Sequence, residues 1–199
     1  MDCKDRVKID LHIHSNASDG TFSPADIIAT ARSLKLGAIA ITDHDTVAGF
    51  RCALEHHNSV DGAPTLVPGV ELSCRWSGTT IHVVGLGMDI EHPVLVEGLR
   101  RLDEARLERG RKIDQRLAKL GMPGALAGAR AVAGDSQLGR PHFATWMVAE
   151  GHVADANEAF DRYLGQGKTG DVKAFWPELA EVTGWIVDSG GIAVVAHPL

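Results

Sequence analysis

Five histidines, a glutamate and an aspartate stand where strands are expected to end. His12 and His14 are two residues apart, so on a strand they point to the same side. His44 follows the second apolar run and His197 the last one, whereas His82 falls early in its own strand. Glu71 lies near the end of the apolar stretch 67–72, where an unpaired carboxylate would be costly. Asp19 sits in the loop after the first strand. Imidazole and carboxylate without thiolate suit zinc, manganese or ferrous iron. A glutamate bridging imidazole-rich positions suits a multi-metal site, in which paired ions hold a hydroxide and a leaving oxygen. Any one of these side chains alone reads as packed or solvated; their joint placement argues for a metal cluster. His56, His57, His92 and His152 fall on polar faces or loops and read as surface residues.

The elements that must position them follow from periodicity. Val7, Ile9, Leu11 and Ile13 alternate with polar residues, the period of a strand with one apolar face. A loop over 15–21 contains the turn pair Asp19-Gly20. Ser23-Pro24-Ala25-Asp26 is a helix start, Ile27, Ile28, Ala31 and Leu34 its buried stripe, and Gly37 its expected stop. A buried strand over 38–41, a helix over 47–58 and strands over 66–72 and 80–86 come next, the last two joined at Trp76-Ser77-Gly78. This β-α-β-α-β-β order points to a mostly parallel sheet or barrel, whose functional groups gather at the carboxyl ends of strands. From about residue 93 the pattern becomes helical. Leu95, Leu99, Leu102, Ile113, Leu117 and Leu120 mark one long amphipathic helix stopped by Gly121, and helical segments continue through Tyr163. A helix over 177–189 and a buried strand over 191–196 close the chain. The expected organisation is 1–94 and 171–199 as α/β parts around a helical insertion over 95–170.

Composition sets the bounds. The chain has 199 residues, enough for one core with an insertion. No run approaches the ~18 apolar residues of a membrane span, and residues 1–8 lack the apolar stretch of a secretory signal. Cys3, Cys52 and Cys74 are odd in number and without Cys-x-x-Cys spacing, which favours a reducing, cytoplasmic setting. The formal net charge is −6, which favours a small anionic substrate over duplex DNA.

As a set, Asp10-Leu11-His12-Ile13-His14-Ser15, Ile41-Thr42-Asp43-His44-Asp45, Pro68-Gly69-Val70-Glu71, Ile81-His82-Val83-Val84-Gly85 and Ala196-His197-Pro198 resemble the polymerase and histidinol phosphatase (PHP) family. The resemblance implies an α/β fold, a distorted (β/α)7 barrel with a cluster of two or three divalent ions at its strand C-termini. Manganese is the first expectation, zinc or iron the alternatives. It also implies that His12 and His14 hold one ion, that Glu71 bridges to a second completed by His82 and His197, and that Asp19 and His44 hold a third. The family completes its first and third ions with a later Asp-x-His motif, which does not occur before Leu199. The expectation is therefore a piece of a longer protein, lacking the last strands and inactive alone.

Within the insertion, residues 113–124, Gly139-Arg140-Pro141-His142-Phe143-Ala144 and Tyr163-Leu164-Gly165-Gln166-Gly167-Lys168-Thr169-Gly170 resemble one PHP subgroup. Its members are 3′,5′-nucleoside bisphosphate phosphatases and 5′-to-3′ exoribonucleases whose insertion caps the metal site. Arg140, His142 and Lys168 are the cations expected to meet substrate phosphates, through an Arg fork and a Lys point charge. The expected reaction removes the 3′-phosphate of a nucleoside 3′,5′-bisphosphate by in-line attack, with Glu71 at the catalytic centre and His142 protonating the leaving group. The alternatives are trimming of short 5′-phosphorylated RNA and, from another class, a non-catalytic metal-binding module. Histidinol phosphate fits less well, because the insertion differs from that subgroup.

Overall fold

In the computed structural model, residues 7–57, 61–172 and 176–198 are described; Cys3, Leu199 and Asn58, the end of one expected helix, lie outside them. The order is β1 (Lys8–Ile13), α1 (Pro24–Ser33), β2 (Leu36–Ile41), α2 (Ala48–His57), β3 (Thr65–Trp76) and β4 (Thr79–Leu86). There follow α3 (Pro93–Ala118), α4 (Ala125–Ala133), α5 (Arg140–Ala149), α6 (Ala156–Ala159), a π-helical turn (Phe160–Leu164), α7 (Leu179–Asp188) and β5 (Ile192–Val195). The strands form one sheet in the order β1-β2-β3-β4-β5. The pairs β1–β2 and β2–β3 are parallel, whereas β3–β4 and β4–β5 are antiparallel. No helix among the described residues is long and apolar enough to cross a membrane.

Local chemistry accounts for the main boundaries. Ser23 caps α1 by accepting from the Asp26 amide at 3.2 Å, with Pro24 at the first turn. Ser77 and Gly78 both have positive φ, the geometry of a two-residue hairpin turn that matches strand twist. That turn lets β3 run on to Trp76, four residues past the expected strand end, in register with β4. Gly37 does not stop α1. The left-handed residue is Lys35 at φ 54, and Gly37 lies within β2, where a Cβ would meet Val7 Cγ1 at 2.1 Å.

Three apolar clusters hold the chain together. One lies among α1, α2 and the β1–β2 side, with Ile28, Ile39, Ile41 and Ala53 at its centre. A second joins the inner residues of β3 and β4 to Leu95, Leu102, Val182 and Ile186 of α3 and α7. The third belongs to residues 113–172, centred on Ile113, Phe143, Met147 and Leu164. Helix α3 thus buries its first half against the sheet and its second half within the helical layer.

The edge strands depart from expectation. β5 is exposed rather than buried, with Ile192 70 % accessible, and on β1 Ile9 is 58 % accessible. Among the described residues both pair on one side only. In a flat sheet, strands four places apart would be roughly 19 Å apart. Yet the ring of His12, at the end of β1, lies 5.1 Å from that of His197, just after β5. The sheet is therefore strongly curled, and its two edges converge at one end.

The α3–α7 contact gives a stability test. A Cβ at Gly98 would lie 2.5 Å from Trp185 Cε3, against a ring that Arg101 covers from its other neighbourhood at 5.3 Å. Gly98→Ala is expected to destabilise the fold by roughly 1–3 kcal/mol. The readout is a lower denaturant midpoint at unchanged slope; an unshifted midpoint would contradict this packing.

Candidate metal centre

Glu71 is fully buried in β3. Strand alternation sends Val70, Leu72 and Cys74 into the apolar core and turns Glu71 and Ser73 to the opposite face. β2 continues beyond its last residue as an irregular partner of β3: the Glu71 amide donates to Asp43 O and the Asp45 amide to Glu71 O. This places His44 beside Glu71. His82 reaches the same place from the start of its strand because β4 is antiparallel. Its first residues lie at the mouth where β1 and β2 end, with Ser73 opposite His82 in register.

The two carboxylate oxygens of Glu71 face different imidazoles. Oε2 lies 3.1 Å from His12 Nε2, 2.8 Å from His14 Nε2 and 3.5 Å from His44 Nδ1. Oε1 lies 3.2 Å from His82 Nδ1 and 3.4 Å from His197 Nε2. Asp19 joins from the other side, 2.8 Å from His14 Nδ1 and 3.8 Å from His44 Nε2. His14 and His44 therefore each turn one ring nitrogen to Glu71 and the other to Asp19.

Three donor groups have ligand atoms within 4.8 Å of one another: His12, His14 and Glu71; His14, Asp19 and His44; and His44, Glu71 and His82. All seven expected metal residues are brought together. His197 is the most open, with a side chain 70 % accessible and φ of 47. Divalent cations fit this set. Glu71 Oε1 and His44 Nδ1 are buried without a partner aligned for a hydrogen bond among the described residues, and nitrogen and oxygen donors suit zinc, manganese or iron.

The electrostatics are those of mutual compensation. Burial alone would raise Glu71, but the close approach of His14 and His82, the charge of His44 and a bond from His12 hold it far below the usual carboxylate range. Burial would lower His14, but Asp19 and Glu71 together raise it to about 9. Asp19 is held at about 2, chiefly by its bond to His14. Burial, with Arg106 and His82, brings His44 down to about 4 despite Glu71.

Two further aspartates organise the mouth. Asp43 accepts from the Ser15 amide at 2.7 Å and from the Ser15 and Ser18 hydroxyls at 2.6 Å, fixing the loop that carries Asp19. Asp45, at φ 53, accepts from the Ser73 amide at 2.6 Å and pairs with Arg106 of α3 at 2.6 Å. Both members of that pair are buried.

A cavity of about 410 Å³ opens beside the cluster, between Asp19, His44 and His82 on one side and Arg106, Arg109 and Arg140 on the other. Arg140 donates to Leu164 O at 3.0 Å and stacks over Phe160 at 5.9 Å. His142 and Lys168 do not line the cavity. His142 is half-buried, and its Nδ1 accepts from the Gly139 amide at 3.0 Å, capping α5; burial keeps its pKa low. Lys168 is exposed, in the turn after the π-helical segment. Arg106 and Arg109 escaped sequence reasoning, although a signal exists. They occupy the stripe between Leu102 and Ile113, where an amphipathic helix otherwise places apolar residues.

Comparison with known proteins agrees with this geometry. The PHP domain family matches residues 10–104. The 3′,5′-nucleoside bisphosphate phosphatase of Chromobacterium violaceum is 41 % identical over 193 residues, covering 96 % of this chain and 67 % of that protein. The chain belongs to the PHP family. The 5′-3′ exoribonuclease Rnm of Salmonella typhimurium is 42 % identical over 192 residues, covering 96 % of this chain and 66 % of that one. Among solved structures, an amidohydrolase from Chromobacterium violaceum with bound sulfate and no metal superposes with a TM-score of 0.85 at 39 % identity, over 96 % of this chain and 67 % of that one. This PHP chain spans about two thirds of the length of the curated relatives it matches.

The Asp45–Arg106 pair generates a prediction. Arg106→Leu strands a buried carboxylate and is expected to destabilise by about 3–5 kcal/mol, whereas replacing both partners by apolar residues recovers much of that loss. Denaturant unfolding of the two single variants and the double variant measures the coupling; additive losses would refute it.

Proposed function

We propose that this PHP chain is a metal-dependent phosphoesterase acting on nucleotides, and that its substrate is a nucleoside 3′,5′-bisphosphate. The observation that carries this reading is Glu71, whose two oxygens face separate sets of imidazoles at a cavity with a cationic far side. The chain contributes to a distorted (β/α)7 barrel, and the helical layer over residues 95–170 acts as its cap. Two or three divalent ions, manganese first among them, would be held by His12, His14, Asp19, His44, Glu71, His82 and His197. When bound, they supply Lewis acidity toward the phosphoryl oxygens.

The chain's own residues do the rest. The cavity encloses the nucleotide and limits access of bulk water, which strengthens each electrostatic contact inside it. Arg106, Arg109 and Arg140 offer a cationic wall to an anionic substrate. In the reaction the P–O3′ bond breaks, water supplies the new P–O bond, and its proton ends on O3′ of the nucleoside 5′-monophosphate. Protonation of that oxygen is not assigned to His142, which does not line the cavity.

A second reading has its own support. The Salmonella typhimurium relative is named as a 5′-3′ exoribonuclease. Cleavage of the first linkage of 5′-phosphorylated RNA breaks the same P–O3′ bond, so the two readings differ in whether the phosphoryl group carries a further nucleoside.

Phosphate release from adenosine 3′,5′-bisphosphate and mononucleotide release from a short 5′-phosphorylated RNA, measured on the intact protein with manganese, separate them. Preferential phosphate release supports the first reading and preferential mononucleotide release the second; no turnover of either sinks both. Chelation is expected to abolish turnover and added manganese to restore it. Glu71→Gln is expected to reduce turnover more than about 100-fold, since even partners of ligands typically cost 10–100-fold. Activity surviving that change with metal still bound would refute the bridging role.

A further inference from the structure

Of the seven residues expected to hold metal, Asp19 is the one carried by a loop rather than by a strand or the residues just after one. That loop has little slack. The Ser18 and Gly20 amides both donate to Ser15 O, at 3.1 and 2.9 Å, and the Asn16 amide donates to Phe22 O at 2.9 Å. A Cβ at Gly20 would lie 2.2 Å from His14 O, so only glycine lets the loop fold back this closely on the strand end. A displacement at Asn16 or Ala17 is therefore passed on to Asp19 instead of being absorbed.

Asp43 holds this loop from the sheet side, and a second attachment comes from the helical layer. Ser136 Oγ donates to Asn16 O at 2.6 Å and the Gln137 amide to Ala17 O at 2.8 Å. The next residue, Leu138, accepts on its carbonyl from Arg106 Nη1 at 3.0 Å, while Arg106 Nε donates to Asp45, the residue after His44. All three lie in the short connection between α4 and α5. Its start is fixed by Gly134, at φ 56, and by the Ser136 amide donating to Ala133 O at 2.9 Å. Three consecutive residues thus tie together the two segments that supply Asp19 and His44, which with His14 make one of the three donor groups. His12, His14 and Glu71, by contrast, stand on or next to paired strands whose ladders hold them.

We propose that residues 136–138 are a positioning element for one ion of the cluster: they set Asp19 against His14 and His44, and so make the affinity of that ion depend on the helical layer. The inference rests on the reading of this cluster as a metal centre. Neither Ser136 nor the Gln137 amide bonds to a metal-holding residue. Both instead engage carbonyls of consecutive loop residues, which fixes the loop in position and in twist. Partners that orient a ligand tune the ion that it holds. The coupling is reciprocal: an ion among His14, Asp19 and His44 secures the same loop and with it the connection between α4 and α5. The helical layer is then held most firmly when this site is filled.

The test titrates the intact, metal-free protein with manganese by calorimetry. Loss of one such hydrogen bond corresponds to about 3- to 10-fold in affinity. Ser136→Ala is expected to weaken a single manganese ion by that factor and leave the others unchanged, while Ser136→Thr, which keeps the hydroxyl, binds as wild type does. On an Asp19→Asn background, Ser136→Ala is expected to add no further loss. Hydrogen exchange gives the reciprocal readout: the Gln137 amide should exchange more slowly when manganese is added to wild type, but not in Asp19→Asn. A contact that only attaches the two layers would lower the melting temperature of the metal-free protein and leave every ion's affinity intact; that result, or equal weakening of all ions, would overturn the inference. Failure of wild type to bind manganese would defeat it together with the metal centre. Manganese binding without turnover of any phosphate substrate would defeat the proposed function alone, and the titration would still decide the role of residues 136–138.

Discussion

The burial of the Glu71 carboxylate constrains everything around it. A carboxylate wholly removed from water is tolerated only when opposite charge and hydrogen bonds surround it. Here the surrounding groups are five imidazoles delivered by β1, the extension of β2, β4 and the segment after β5. That requirement explains three features of the sheet at once. Period-two alternation in β3 keeps Glu71 off the apolar face, the antiparallel turn into β4 brings His82 back to the mouth, and the curl carries His197 to within ring contact of His12. The imidazoles range from largely buried at His44 to open at His197, but together they leave the Glu71 side chain inaccessible to water.

The helical layer answers this with the opposite sign. Helix α3 spans both the sheet cluster and the cluster of residues 113–172, so it links the two layers, as do the bonds from Ser136 and Gln137 to the loop after β1. Where it crosses the cavity its buried stripe changes from leucine to arginine. Arg106 is tied down by Asp45, immediately next to His44 in sequence, which registers the layer against the metal centre. The cavity is thus bounded by groups that could hold metal ions on one side and guanidinium groups on the other. Fixed charges facing each other across a partly closed cavity act in a lower effective dielectric than water, where positioned dipoles and ions exert more force.

The parts legible in the sequence were those whose residue types are improbable in their setting. His-x-His at a strand end, a glutamate inside an apolar run and a histidine after each of two apolar runs conflict with a core-facing role, and that conflict made them readable. The order of elements through β4 was legible for the same reason as the turn at Ser77-Gly78, since both depend on local periodicity and φ. Burial was less so. β1 and β5 carry the valine and isoleucine of core strands, and nothing in their composition records that they pair on one side only. Arginine in a charge-rich helix resembles a solvated face, so Arg106 and Arg109 were passed over, whereas the conspicuous cations His142 and Lys168 fall outside the cavity wall.

A cavity wall that gathers Arg106, Arg109 and Arg140, of which Arg106 is paired with Asp45, places cations where burial lowers the pKa of Arg109 and Arg140. Evolution toward stability alone would have placed leucine on this stretch of α3, as it did at Leu102 and Leu117. Retaining cations in the buried stripe sacrifices packing for charge, and such exceptions concentrate where a ligand completes the structure. The same reasoning separates the two layers by task. The sheet side can be electrostatically complete with cations among its imidazoles and carboxylates. The helical side is not completed by cations, since Arg109, Gln137 and Trp176 line it with buried donors that have no partner among the described residues. Only an acceptor-rich group resolves that wall, and a phosphate brings oxygen acceptors together with the negative charge the arginines lack.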